Sequence, residues 1–221
     1  MQNKKKSIEL FAGSQSFSKV AKELGYETFT SDINALEGID YVVDIMDFDV
    51  NQVPFIPNII WASPDCSTFS CAAGRTHYDS KCLIPKTQKA QEALKQLEKT
   101  LEILFYFLAL NPKLKYYVEN PVGRMQWVLQ AGTLFGIIPR IVTIDQCQYG
   151  REHQKRTHIF TNDMSWIPRK RCPGRPTCNH TENVKSIKKG KRSSLGNFDG
   201  LRYYQRAMIP KELILEILKS K

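Results

Sequence analysis

A cysteine stands where a short apolar run gives way to small residues and a proline, in Trp61-Ala62-Ser63-Pro64-Asp65-Cys66-Ser67-Thr68-Phe69-Ser70. The run before it, Pro57-Asn58-Ile59-Ile60-Trp61, is β-branched and aromatic without helical period, so it reads as a buried strand with Cys66 just past its carboxyl end. Ligands of open α/β sheets bind at that edge. A thiol on a loop there is a candidate nucleophile; the plainer alternative is a small buried hydrophobe. A second strand-like run, Lys115-Tyr116-Tyr117-Val118, delivers Glu119-Asn120-Pro121. A carboxylate at that strand end can face the same crevice and move protons there; the alternative is a solvated turn acid. Two more acids, Asp32 and Asp44, end the runs that begin at Glu27 and Asp40. They accompany a small-residue turn, Ala12-Gly13-Ser14-Gln15-Ser16, after a first strand Ser7-Ile8-Glu9-Leu10-Phe11. Such a turn lets backbone approach a nucleotide-like ligand, and a strand-end carboxylate holds ribose hydroxyls. No G-x-G-x-x-G is present, which disfavours a dinucleotide pyrophosphate site.

The elements that must position these residues follow a strand–turn–helix–strand rhythm, the plan of an α/β fold with a mainly parallel sheet. Phe17, Val20, Ala21 and Leu24 share one face of a helix stopped by Gly25. Ala90, Ala93, Leu94, Leu97, Leu101, Leu104, Phe105 and Leu108 stripe a long helix ending near Asn111-Pro112, and that stripe reads as core. Between Ser67 and Thr87 the chain is polar and without period, a loop long enough to be functional. Met125 to Leu129 suggests a short helix; Ile138 to Ile144 and Arg156 to Phe160 read as strands. Leu213, Ile214, Ile217 and Leu218 form a closing helix entered at Pro210.

At 221 residues the chain is long enough for a real core. No apolar run approaches a membrane span, and the basic start turns polar too soon for a signal peptide. Six cysteines scattered over this length do not look like a secreted disulfide framework, so the expectation is a cytoplasmic protein. The net charge is +10, and nine Lys or Arg residues lie between Arg169 and Arg192 against one acid, Glu182. That block suits a phosphate backbone, or else forms a solvated face. Within it, Cys172, Cys178 and His180 have a spacing that could hold zinc, although it is not a standard finger and no fourth ligand is evident; two ordinary thiols are the plainer alternative.

Taken in order, these stretches resemble the DNA (cytosine-5) methyltransferase family, and most of all its short phage-type members. Phe11-Ala12-Gly13-Ser14 resembles the S-adenosylmethionine loop. Asp32, followed by Ile33, sits where the family keeps the ribose acid, and Asp44-Ile45 resembles the pair that meets the adenine. Pro64-Asp65-Cys66 with Phe69-Ser70 resembles the Pro-Cys loop, Glu119-Asn120-Pro121 resembles Glu-Asn-Val, and Gln154-Lys155-Arg156-Thr157-His158 resembles Gln-x-Arg-x-Arg. The resemblance implies a Rossmann-like S-adenosylmethionine-dependent methyltransferase fold with helices on both sheet faces. It implies Cys66, Glu119 and Arg156 as catalytic residues. It implies a cofactor site of Phe11, Ala12, Gly13, Asp32, Ile33, Asp44, Ile45 and Pro64. The implied substrate is double-stranded DNA with a flipped-out cytosine.

The chain departs from that pattern at Ser14-Gln15-Ser16, where glycines are usual, at Asp65 beside the thiol, and at His158 for the last arginine. About forty residues stand where the family carries a large recognition domain. The expected organisation is therefore a catalytic core over 1–161, a small basic segment over 162–200, and a C-terminal helix over 201–221 that returns to the core. Sequence selectivity would be low or supplied by a partner protein. RNA as substrate, as in the tRNA-methylating branch, and a catalytically idle nucleic-acid-binding relative remain as alternatives.

Overall fold

The computed structural model describes residues 4–73, 76–79, 84–130, 139–174, 177–178 and 207–220. Seven strands form one sheet: β1 Lys6–Leu10, β2 Glu27–Asp32, β3 Tyr41–Val42, β4 Ile59–Ala62, β5 Lys115–Pro121, β6 Arg140–Asp145 and β7 Arg156–Thr161. Among the described residues, four helices accompany them: α1 Ser16–Glu23, α2 Gln88–Leu110, α3 Met125–Gln130 and α4 Lys211–Lys219. The strand order is β3-β2-β1-β4-β5-β7-β6. The first five strands pair in parallel, and β7 runs antiparallel between β5 and β6. This is a Rossmann-like α/β architecture, with the order reversing between β1 and β4.

Side-chain alternation divides the core in two. Ile60 and Ala62 of β4, with Ile8, Leu10, Tyr116 and Val118, pack against Ala90, Ala93, Leu97 and Leu104 of α2. Ile59, Trp61 and Tyr117 face the other way, toward Phe17, Val20 and Ala21 of α1 and Leu213, Ile214 and Ile217 of α4. Helices therefore cover both faces. Trp61, fully buried, lies between Phe17 and Tyr117 at ring separations of 5.4 and 6.3 Å. Each such pair adds about 0.5–1.5 kcal/mol beyond area burial.

The helix ends are fixed by specific groups. Thr87 Oγ1 accepts from the Ala90 amide at the start of α2. At the other end, Asn111 Nδ2 donates to the Pro57 carbonyl, tying α2 to the entry of β4. Helix α1 has no cap from its own flanking side chain; the buried Glu9 carboxylate of β1 instead accepts from the Phe17 and Ser18 amides at 3.2 and 2.7 Å. A carboxylate suits that positive helix terminus.

Strand β3 is shorter than the Asp40 to Asp44 run predicted for it. Asp40 turns its carboxylate onto Thr30, accepting from the amide and the hydroxyl at 2.8 and 2.7 Å. Asp44 accepts from Met46 N and starts a 3₁₀ turn. Both acids satisfy local donors in preference to extending an edge strand. Beyond β7, Asn162 bonds the backbone of Leu114 and Tyr116, and Trp166 is buried against the sheet. The chain is thus still packed where the basic run begins.

Candidate active site

The loop after β4 is built from its own backbone. The Cys66 carbonyl accepts from the Phe69 and Ser70 amides at 3.2 and 2.9 Å, closing a single turn. Asp65 accepts from the Ser67 amide at 3.1 Å and from the Ser67 hydroxyl, so its carboxylate is engaged within the loop. The end of β5 and the segment after it clamp this turn. Asn120 Nδ2 donates to the Pro64 carbonyl at 3.1 Å, Arg124 N donates to the Phe69 carbonyl at 2.6 Å, and Ser70 bridges Gly123. Trp61 Nε1 donates to Ser63 Oγ at 2.9 Å and fixes the loop's entry.

Glu119 is buried, 5% exposed, and accepts from Lys155 Nζ at 3.2 Å and Gln146 Nε2 at 3.5 Å. Arg151 donates to Gln146 Oε1 at 2.9 Å and extends the chain of donors. The Cys66 thiol feels these groups. Burial pushes its pKa up, the Glu119 charge pushes it further, Lys155 opposes that, and Asp65 adds a smaller rise. Glu119 and Lys155, an ion pair at 3.2 Å, therefore lie near enough to Cys66 to act on its thiol electrostatically.

The structure does not bring Arg156 to that ion pair. Across β7, Lys155 shares parity with Ile159, on the α1/α4 side of the sheet, as Glu119 does with Tyr117. Arg156 shares parity with Phe160, on the α2 side, and one residue's step changes the face. Its Nε lies 3.4 Å from Asp145, its register partner, and its side chain is 57% exposed. His158, in place of the last arginine of the resemblance, is buried, bonds Thr143 Oγ1 through Nδ1 at 3.0 Å, and has its pKa lowered by burial.

A cleft opens at the carboxyl ends of β1, β2 and β4. Phe11, Gly13, Asp32, Ile33, Asp44 and Ile45 line it, together with Glu9, Ser63, Asp65 and Gln96. Phe11 has φ 58, a left-handed conformation rare for a bulky residue, and it turns the chain sharply so that Gly13 and Ser14 reach the cleft. Ala12 and Pro64 do not line it. Ala12 is fully buried with its amide on the Ser31 carbonyl, and Pro64 presents its carbonyl to Asn120. Sequence reasoning missed Lys155, Arg151 and Gln146. No signal in the sequence alone singles out Lys155, because its place follows from the pairing of Glu119 with Ile159.

Of the zinc candidates, Cys172 and Cys178 lie close together, and His180 falls outside the described residues. Among the described residues, no helix is long and apolar enough to cross a membrane.

Fold and site together define a Rossmann-like α/β protein whose strand-end cleft runs up to a loop bearing a thiol. No family model matches the chain, and no curated protein does. Among solved structures it is similar to the Entamoeba histolytica methyltransferase EhMeth, at 12% identity and TM-score 0.43, over 77% of this chain and 58% of that one. It is similar to a DNMT2 mutant from Spodoptera frugiperda at 15% identity and TM-score 0.43, over 77% and 54%. It is similar to the S. pombe Dnmt2 methyltransferase at 13% identity and TM-score 0.45, over 76% and 53%. The aligned part thus amounts to little more than half the length of each of these structures.

Proposed function

We propose that this chain is an S-adenosylmethionine-dependent methyltransferase that acts on C5 of a flipped-out cytosine in double-stranded DNA, through a covalent adduct with Cys66. One observation carries the reading. Ser63 and Asp65, which lead into Cys66, line the same cleft as Asp32 and Asp44. A ligand held by Asp32 and Asp44 would therefore extend toward the loop that bears the thiol. The residues present fit such a cofactor: Asp32 suits the ribose hydroxyls, Asp44 and Ile45 suit the adenine, and the Phe11–Ser14 turn offers backbone. Bound there, S-adenosylmethionine supplies an electrophilic methyl group.

The chain's own groups account for the rest. Cytosine C5 is a poor nucleophile until Cys66 Sγ adds to C6, which turns the ring into an enamine. As the Sγ–C6 bond forms, the thiol proton passes to the Glu119 carboxylate, and Lys155, whose charge opposes that of Glu119 at the thiol, favours the thiolate. Glu119 hands that proton on to N3 and so balances the charge that builds on the ring. C5 then takes the methyl group. Loss of the C5 proton to water, return of the N3 proton to Glu119 and cleavage of the C6–Sγ bond restore the aromatic ring and free the cysteine as its thiolate. Arg156, exposed beside Asp145, is placed for the rim and not for the reacting atoms.

A stacked base cannot reach the thiol, so the nucleotide must leave the helix. The net charge of +10 supports a nucleic acid partner, and the choice of DNA follows the order of the sequence motifs. Sequence selectivity would be low or supplied by a partner protein. The test is methyl transfer from labelled cofactor to DNA and to tRNA in parallel. The label is expected in 5-methylcytosine of DNA. Label confined to tRNA would move the substrate, and no label in either would remove the activity.

A further inference from the structure

Apart from the cleft and the Cys66 loop, the described residues gather a cluster of metal-binding side chains. The sulfur atoms of Cys147, Cys172 and Cys178 all lie within 4.8 Å of one another. They come from two distant stretches of chain: Cys147 from the 3₁₀ turn after β6, and the other two from the start of the basic run. We propose that these three cysteines form a binding site for a thiophilic divalent metal ion, zinc being the species that suits it.

Four observations carry this. A tetrahedral zinc with Zn–S bonds of about 2.3 Å sets its sulfurs roughly 3.8 Å apart, so the cluster needs only about an ångström of closure. The loops bearing two of the ligands are already docked. Asp145, 1% exposed, accepts from Arg171 Nε at 2.6 Å and from the Cys172 amide at 3.0 Å, two residues before Cys147. A tight turn brings in the third: Gly174 adopts φ 85, and the Cys178 amide donates to the Gly174 carbonyl at 2.9 Å. Donors also point at sulfur. The Gly174 amide lies 3.4 Å from Cys172 Sγ, and Gln148 Nε2 lies 3.4 Å from Cys178 Sγ and 3.8 Å from Cys147 Sγ. Such outer donors hold metal-bound thiolates in place.

Three thiolates select a soft or borderline ion over magnesium or calcium. His180, beyond Cys178, lies outside the described residues and is not counted in the site. The consequence is mechanical. The ion fastens the start of the basic run to the end of β6, where Gln146 reaches Glu119. The site stands independently of the methyltransferase reading, because its test reads metal content.

The full chain, produced with zinc in the medium, should carry about one zinc per molecule by elemental analysis. Cobalt exchanged into it should give thiolate-to-metal charge-transfer absorption. Cys147→Ser and Cys172→Ser should each lower zinc content at least tenfold, while Cys71→Ser, outside the cluster, keeps it. A wild-type chain without zinc or the cobalt signature would overturn the site, and that result does not depend on how any variant folds. Intact mass lighter by two hydrogens, marking a disulfide between two of the three, would also overturn it. So would full zinc retention in Cys147→Ser and Cys172→Ser.

Discussion

Cys66 has Glu119 and Asp65 pushing its proton on and Lys155 pulling it off, above a baseline already raised by burial. The signs are testable one charge at a time. Alkylation of Cys66 by iodoacetamide should accelerate only as pH rises past the ordinary thiol range. Glu119→Gln removes a like charge and should move that profile to lower pH; Lys155→Met removes the opposing charge and should move it to higher pH. Profiles that do not move in either variant would show that the three groups are not coupled. In turnover, Glu119→Gln should cost roughly 10²–10⁴-fold, the range for a positioned acid, with cofactor affinity nearly intact. At this scale the sequence was informative about type and poor about direction. Cys66 and Glu119 were legible because each sits at a strand end. The choice between Lys155 and Arg156 was not, because it depends on which face of β7 opposes Glu119, and a motif read as a string carries no faces.

Among the elements, the clamp between the Cys66 loop and the segment after β5 is the feature that turns two strand ends into one site. Gly123 is where the two backbones meet. A Cβ there would fall well inside contact distance of the Phe69 carbonyl, which is backbone and cannot swing away. Gly123→Ala should cost about 1–3 kcal/mol in stability and should impair turnover more than that loss explains, as shown by thermal unfolding beside steady-state rates. Equal and small effects on both would mean the loop is not held from Gly123. The cleft at the carboxyl ends of β1, β2 and β4 makes its own prediction. Asp32→Ala should weaken S-adenosylhomocysteine by about 1–3 kcal/mol in calorimetry, the scale of a charged hydrogen bond, and unchanged affinity would take Asp32 out of the site. Most elements could be read from periodicity: α2 from its apolar stripe, α4 from Pro210 and the leucines after it. The short β3 and the antiparallel insertion of β7 could not. The first was decided by Asp40 and Asp44 finding nearer donors, and the second by long-range pairing that no local pattern encodes.

For the whole molecule, stability and binding draw on different charges. Asp163, 3% exposed, would be raised by burial alone. Hydrogen bonds from Ser165 and Tyr117 and the Lys115 ammonium outweigh that and hold it well below the usual carboxylate range. A depressed carboxylate contributes stability that is complete above its unfolded pKa and is lost as pH falls through the folded one. Asp163→Asn should therefore destabilise the protein by about 2–3 kcal/mol at neutral pH, with the gap closing only in strong acid. Denaturant titrations across pH would show this; a gap independent of pH down to strong acid would contradict it. Arg169 and Arg171 of the basic run are likewise used internally, on Glu212, Glu216 and Asp145. The expected grip on phosphates is tested on the basic residues further on, which lie outside the described residues. Replacing Lys188, Lys189, Lys191 and Arg192 with alanine should weaken DNA binding for every sequence. It should also flatten the salt dependence, by roughly one unit of log–log slope for each phosphate no longer neutralised. The most direct test of the central claim is covalent trapping on DNA containing 5-fluorocytosine with S-adenosylmethionine present, read by peptide mass spectrometry. Fluorine at C5 cannot leave as a proton does, so the adduct should accumulate, map to Cys66 and vanish in Cys66→Ser. Methyl transfer to cytosine without a trapped adduct, or an adduct that maps to Cys71 or survives in Cys66→Ser, would contradict the account.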